Sequence, residues 1–245
     1  MIDLHCHLLP GVDDGPKTWT EALELGARLV DEGVTLAVAT PHVFWERYPN
    51  PAPEVIRDHV AQLNRAFEGR MRILPGAEVR IVPELRDWAK RFSPSPPDGD
   101  RALLLADAAC ILLEFPPEII PPGVERLFFD LLTAGIRPIL AHPERNSAMC
   151  RQPERLHRFV EHGCRVQVDA PSLLGDHGSE ARRAAWQWIA EGLVHVIASD
   201  AHGLRARPPK LRRAWADVVR AHGEAVARAL FIENPRAIVE GEDLA

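Results

Sequence analysis

Short apolar runs of strand length and stretches of helical spacing alternate about seven times along the chain, and the runs are apolar almost throughout. A strand that is apolar on both faces has to be covered on both faces, the condition of a parallel sheet wrapped by crossover helices. The runs fall at residues 2–9 (stopped by Pro10 and Gly11), 36–42, 71–79 (interrupted at Pro75 and Gly76), 102–115, 137–141, 165–169 and 195–199. The fourth is split by Asp107 and reads as a hairpin-like excursion ending in a strand.

Helical spacing is expected between them. Thr18 is an N-cap with Glu21 three residues on, as in a capping box, and Ala22, Leu25, Leu29 and Val30 follow up to Gly33. Further helices are predicted over 54–67, 81–92, 124–134, 153–162 and 181–190, and two more close the chain after a loop with Arg205, Arg207, Pro208 and Pro209. Residues 93–100 form a Pro/Gly-rich loop. No linker or composition shift divides the chain, so residues 1–245 read as one domain. That length suits a single α/β barrel, which takes about 250 residues. An open doubly wound sheet is the alternative, but no Gly-x-Gly-x-x-Gly follows the first strand, which argues against a dinucleotide fold.

The ends of the runs carry the chemistry. They supply His5 and His7, His42, Glu78, Glu114, His142, and Asp200 with His202, while the sixth offers Asp169. Side chains two apart on a strand share a face, so His5 and His7 project together, as do Asp200 and His202. The first pair alone reads equally as a metal site or as hydrogen-bonded core histidines. In a barrel, however, all C-terminal strand ends converge on one rim. Imidazoles and carboxylates gathered there suit Mn, Fe, Co or Zn, and so many donors call for two or three ions sharing carboxylates. Asp3 and Asp13 read as turn or supporting residues. Glu144 either orients His142 or is exposed. His59, His157, His162 and His222 fall on helices, facing solvent.

Four arginines, Arg80, Arg145, Arg205 and Arg207, lie near the same rim. A guanidinium beside metal ions grips two phosphate oxygens at once, although it can also simply balance nearby carboxylates. Phe44, Trp45 and Tyr48 on the loop at 43–53 either line a substrate mouth or cap the rim. Other classes fit poorly. The net charge is −6 with no basic run, which disfavours a nucleic-acid surface. No apolar run approaches the ~18 residues of a membrane span. The first run starts at the first residues, leaving no room for a signal peptide, and Cys6, Cys110, Cys150 and Cys164 show no Cys-x-x-Cys spacing. A cytoplasmic protein with reduced thiols is expected. Cys6 faces away from His5 and His7, as a small buried residue.

These motifs together resemble the polymerase-and-histidinol-phosphatase (PHP) superfamily: His-x-His at the start, Thr-Pro-His42, Gly-Ala-Glu78-Val-Arg80, Leu-Leu-Glu114-Phe-Pro, Ala-His142-Pro-Glu-Arg145-Asn and Ala-Ser-Asp200-Ala-His202. Leu-Leu-Pro-Gly-Val-Asp-Asp-Gly-Pro-Lys and the element at Arg207 are similar to its bacterial capsule and exopolysaccharide tyrosine-phosphatase branch. The resemblance spans nearly the whole chain. It implies a distorted TIM-like (β/α)7 barrel with a trinuclear site, often filled by Mn2+. By position, His5, His7, Glu78 and Asp200 would hold one ion. Glu78 would bridge to a second, held also by Glu114 and His142, and Asp14, His42 and His202 would hold the third. Arg145 and Arg207 match the phosphate-binding arginines, with Arg80 a further candidate. Asp169 and Pro171 depart from the Asn and Gly usual in the branch, and Val43 follows His42 where the branch has a second histidine or Tyr.

The implied reaction is phosphomonoester hydrolysis on a phosphotyrosine protein, such as the tail of a bacterial tyrosine kinase. A hydroxide bridging two ions would attack phosphorus in line, with Asp200, His42, Arg145 and Arg207 as the catalytic set. Small-molecule phosphatase activity, as on histidinol phosphate, is the alternative, and a non-catalytic metal-binding or kinase-docking module a third reading. A phosphocysteine route is not expected, since no cysteine has Arg six residues on.

Overall fold

The computed structural model describes residues 1–91, 101 and 103–244. The predicted loop at 93–100, Phe92 and Ala102 lie outside the described residues. Among the described residues, nine parallel strand segments form two sheets. The smaller holds β1 (Ile2–Cys6), β2 (Leu36–Ala39) and β4 (Arg72–Pro75), in the order β1-β2-β4. The larger holds β3 (His42–Val43), β5 (Glu78–Arg80), β6 (Cys110–Glu114), β7 (Arg137–Ala141), β8 (Arg165–Asp169) and β9 (Val196–Ala198), in that order.

Two predicted strands are therefore broken. The run at 36–42 ends at Ala39, and after Thr40 and Pro41 the chain resumes as β3 in the other sheet. The run at 71–79 breaks between Pro75 and Glu78 in the same way. Gly76 allows it, because a Cβ there would sit 2.7 Å from Val38 Cγ1. The offset sets His42 directly opposite Glu78. The two sheets touch where the chain after β9 returns to β1. Cys6 bridges Ala201, His7 N donates to Ala201 O at 2.8 Å, and Asp200 N donates to His5 O at 2.9 Å. The result is a mixed α/β fold of two parallel sheets, which accords with the expected barrel in a distorted, incompletely closed form.

Helices wrap the outside: α1 (Trp19–Asp31), α2 (Pro53–Ala66), α3 (Leu85–Arg91), α4 (Val124–Thr133), α5 (Ser147–Arg151), α6 (Pro153–Glu161), α7 (Ala170–Leu174), α8 (Gly178–Ala190), α9 (Leu211–His222), α10 (Glu224–Arg228) and α11 (Asn234–Glu240). The predicted helix over 81–92 begins only at Leu85, and the closing segment holds three α-helices where two were expected. Thr18 caps α1 as predicted, its Oγ1 accepting from Glu21 N at 3.2 Å, but Glu21 reaches back to Lys17 N. The hairpin-like excursion reduces to one antiparallel bridge between Leu104 and Ile111.

Alternate strand residues divide between two apolar clusters. Leu4, Val38, Leu112, Ile139 and Val196 come from strands all round the ring and fill its middle. Ala37, Ile111, Leu113, Leu140, Val166 and Ile197 instead meet Leu25, Leu63, Leu127, Leu156 and Trp188 from the helices. Each strand is thus covered on both faces, which is why the sequence reads as continuous apolar runs. Among the described residues, no helix is long and apolar enough to cross a membrane.

Candidate metal centre

Every predicted ligand reaches the same rim. β1 delivers His5, and His7 lies just beyond it, since the strand stops at Cys6, short of the predicted Leu9. Their Nε2 atoms face each other at 3.3 Å. Asp200 Oδ1 lies 3.3 and 3.4 Å from these two nitrogens, and Glu78 Oε2 lies 3.5 and 3.4 Å from them. All four side chains are buried. Glu78 then reaches two more rings, with Oε1 2.8 Å from His142 Nε2 and Oε2 2.8 Å from His42 Nδ1. Glu114 Oε1 stands 3.9 Å from His142 Nε2. Beyond His42, Asp14 Oδ1 is 3.2 Å from both His42 Nε2 and His202 Nε2. The donor atoms thus fall into overlapping groups: His5, His7 and Asp200; His5, Glu78 and His142; His42, Glu78 and Glu114; and His7, Asp14, His42 and His202.

The far edges of the rings are anchored. His5 Nδ1 meets Gln167 Oε1 at 3.0 Å, His7 Nδ1 meets Asp13 Oδ2 at 2.7 Å, and His202 Nδ1 meets Asp200 O at 2.9 Å. Such bonds fix the tautomer and turn each Nε2 inward. Asp13 also accepts from His42 N at 3.1 Å, and Asp3 accepts from Ser199 N and Oγ at 2.9 and 2.6 Å behind His5. His142 and Asp200 hold left-handed backbone angles, φ of 30° and 47°. Such strain costs about 1–3 kcal/mol per residue and concentrates at working sites.

These residues fit divalent cations. Asp14 Oδ1, His42 Nδ1, Glu78 Oε2, Asp200 Oδ1 and His202 Nε2 are buried and make no well-directed hydrogen bond, although they crowd one another, His42 Nδ1 lying 2.8 Å from Glu78 Oε2 and His202 Nε2 3.2 Å from Asp14 Oδ1. A buried polar atom left unpaired costs about 1–3 kcal/mol, and five in one rim amount to donors awaiting an acceptor of electron pairs. Electrostatics agree. Burial pushes the Glu78 and Asp200 carboxyls up, but His5 and the other rings outweigh it and hold both well below the usual range. Burial works against charge on His7 as well, yet the Asp13 carboxylate and its neighbours keep that ring's pKa well above the ordinary value. Protons are drawn to the places where cations would sit. With nitrogen and oxygen donors only, the set matches Mn, Fe, Co or Zn.

A cavity of about 360 Å³ opens over the cluster, walled by Trp45, Pro117, Arg145, Pro171, His177, Arg207 and Pro208. Arg145 Nη1 contacts Asp200 Oδ2 at 2.5 Å and Asp169 Oδ2 at 3.0 Å. Arg207 Nη2 contacts Asp14 Oδ2 at 2.5 Å. Arg80 sits behind Glu114, its Nε 3.3 Å from Oε2 and its guanidinium 3.8 Å over the Trp45 ring. Trp45 Nε1 donates to Glu114 Oε2 at 2.7 Å, so this aromatic both lines the mouth and steadies the Glu114 carboxylate. Tyr48 stacks 6.0 Å from His42. Arg205 is exposed.

Glu144 takes neither expected course. It is buried, 1% exposed, and its Oε1 accepts from Asp169 N at 3.0 Å and Ser172 Oγ at 2.6 Å. Gln167 and His177 were missed by sequence reasoning. A polar Gln inside the apolar run at 165–169 was the available signal for the first; the second shows only in the assembled cavity.

Residues 1–240 match a family model described as capsular polysaccharide synthesis, CpsB/CapC. The chain is 36% identical over 211 residues to the tyrosine-protein phosphatase YwqE of Bacillus subtilis, covering 84% of this chain and 79% of YwqE. It is 34% identical over 246 residues to the putative tyrosine-protein phosphatase CapC of Staphylococcus aureus, covering 99% and 92%. The fold matches a chain from the crystal structures of YwqE from Bacillus subtilis and CpsB from Streptococcus pneumoniae, described as metal-dependent tyrosine phosphatases. The TM-score is 0.91 at 30% identity, over 100% of this chain and 96% of that one.

Proposed function

Because the chain belongs to the CpsB/CapC family of capsular polysaccharide synthesis, we propose that its metal centre is the active site of a metal-dependent tyrosine-protein phosphatase. The observation that carries this is the set of five buried, unpaired donor atoms converging under a cavity walled by arginines. His5, His7, Glu78 and Asp200 would hold one ion; Glu78, Glu114 and His142 a second; and Asp14, His42 and His202 a third, with Mn2+ the first expectation. Ions held there supply positive charge for the phosphoryl oxygens and bring the pKa of water to near 7.

The chain's own groups do the rest. Arg145 and Arg207 now rest on Asp200 and Asp14, within a side-chain rotation of the cavity that both line. A phosphoryl group entering there competes for both guanidinium forks, which hold equatorial oxygens as charge develops. Asp13 and Gln167 keep His7 and His5 aligned throughout. Trp45 and Pro208 offer apolar walls to a phenyl ring. The substrate class is a phosphotyrosine-bearing protein, with the tail of a bacterial tyrosine kinase as the proposed partner. Four free cysteines support a reducing, cytoplasmic setting.

The test is metal analysis of the purified protein, coupled to hydrolysis of a phosphotyrosine peptide before and after chelation. Two or three ions per chain and loss of turnover on chelation support the reading. Full turnover in a metal-free sample would overturn it.

A further inference from the structure

The reaction proposed above leaves one requirement unmet. Tyrosine departs as a phenolate with a pKa of about 10, and an oxygen that basic leaves faster when it is handed a proton. Among the described ionisable residues that wall the cavity, Asp14, His42, Glu78, Glu114, His142 and Asp200 belong to the ion-binding set. Arg145 and Arg207 stay protonated at any working pH. Asp176 is tied to Lys210 at 2.5 Å. His177 alone is uncommitted.

Its position suits the task. His177 sits at the turn between α7 and α8, on the wall shared with Arg145 and Pro171. The ring is pinned at one edge: Ser172 Oγ lies 2.9 Å from Nδ1, and Ser172 is itself held by Glu144 Oε1 at 2.6 Å. With Nδ1 engaged, Nε2 is the edge left to exchange a proton. The side chain is 18% exposed, open enough to recover a proton from water and closed enough to be held in one orientation.

We propose that His177 is the proton donor to the leaving tyrosine oxygen, a catalytic residue outside the ion-binding set; this rests on the phosphatase reading. As the bond between phosphorus and the phenolic oxygen breaks, its electron pair stays on that oxygen, and the proton of His177 Nε2 joins it, so tyrosine departs neutral. A water oxygen forms the new bond to phosphorus, and one proton of that water restores the imidazolium. Products are tyrosine and hydrogen phosphate, and the enzyme is unchanged.

Together the groups around the ring lower its affinity for a proton. Burial pushes His177 below the ordinary histidine value, and Arg145 and His142 act in the same sense, while Asp169, 3.8 Å from Nδ1, and Asp200 oppose them. Glu144 lies behind Ser172. A phosphoryl dianion arriving in the cavity would add two negative charges that favour the imidazolium, against the lowering by burial and Arg145.

The experiment compares His177→Gln with the parent on two esters, a phosphotyrosine peptide and p-nitrophenyl phosphate, whose leaving group is a much stronger acid and needs little protonation. General acid help is worth roughly 10²–10⁴-fold. The expected result is a loss of about 10²-fold or more in kcat on the peptide, a far smaller loss on the nitrophenyl ester, and a metal content equal to the parent's. Ser172→Ala, which frees the ring without removing it, should show the same selectivity in weaker form. Equal losses on both esters, or none on either, would overturn the assignment. If the parent protein hydrolyses neither ester, the phosphatase reading itself fails, and this one with it, before any variant is compared.

Discussion

Arg145 Nη1 lies 2.5 Å from Asp200 Oδ2, so the arginine proposed to grip phosphate rests on a carboxylate proposed to hold metal. Asp169 Oδ2 shares the same nitrogen at 3.0 Å. Substrate binding therefore exchanges one anion for another at a guanidinium that stays charged throughout. Arg145→Lys keeps the charge and loses the planar fork. The expected outcome is a fall of about 10- to 100-fold in kcat/KM on a phosphotyrosine peptide, the equivalent of one charged hydrogen bond at about 1.5–3 kcal/mol, with metal content unchanged. Parent-like kinetics in this variant would show that the fork does not grip the substrate.

Removal of divalent ions should cost stability as well as turnover. Asp14 Oδ1, Glu78 Oε2 and Asp200 Oδ1 are buried atoms at one rim with no well-directed hydrogen bond, and a bound ion would offset the negative charge gathered there. A ligand present at about 100 times its Kd stabilises a fold by about 2.7 kcal/mol. Thermal unfolding in excess chelator should therefore show a clearly lower Tm, restored by added Mn2+. An unchanged Tm would mean that the rim holds no ion tightly.

His195 gives a pH dependence that is independent of the site. Its Nδ1 accepts from Val166 N at 3.2 Å, and burial, with Arg165 and Arg137, pushes its pKa down to about 4. The unfolded chain titrates near 6.5, so between these values the unfolded state binds the extra proton. The contribution is complete above pH 6.5 and is lost as pH falls towards 4, by up to about 3 kcal/mol. Denaturant unfolding at pH 7 and pH 5 should show this loss, and His195→Asn, which does not titrate, should flatten the slope. A slope identical in both proteins would rule out His195 as its source.

Cys6 lies between His5 and His7, both proposed as ligands, and the proposed chemistry does not use it. It is fully buried, its Sγ directed at Val38 O at 3.4 Å, and burial holds the thiol well above its usual pKa. Cys6→Ser should keep most of the turnover and lose about 1 kcal/mol of stability. Abolished turnover in a folded, metal-loaded Cys6→Ser protein would point to a thiolate reaction instead.

What could be read from the sequence was whatever depends on local order. His5-x-His7, His142 after β7, and Asp200-x-His202 stand at the ends of apolar runs, and a barrel brings such ends together whatever its details. The strands at 137–141 and 165–169 were legible because both faces are buried. The breaks before His42 and Glu78 were not, because they depend on how Gly76 packs against Val38 across two strands. The pairs His5 with Gln167 and Glu144 with Ser172 link residues 162 and 28 positions apart, and no periodicity reports such registers. That Arg80 at the end of β5 stacks over Trp45, behind the cavity wall, was hidden for the same reason.

The two-sheet wall has a mechanical corollary. His5 is carried by the three-stranded sheet, whereas His42, Glu78 and Glu114 are carried by the six-stranded one. Cations clasped by both sets, as proposed, would act as rivets across a tear line that backbone hydrogen bonds alone fasten sparsely. An ion-starved molecule should delaminate there first, so that amides beside His7 and Pro41 exchange with deuterium before those at the middle of β6 and β7.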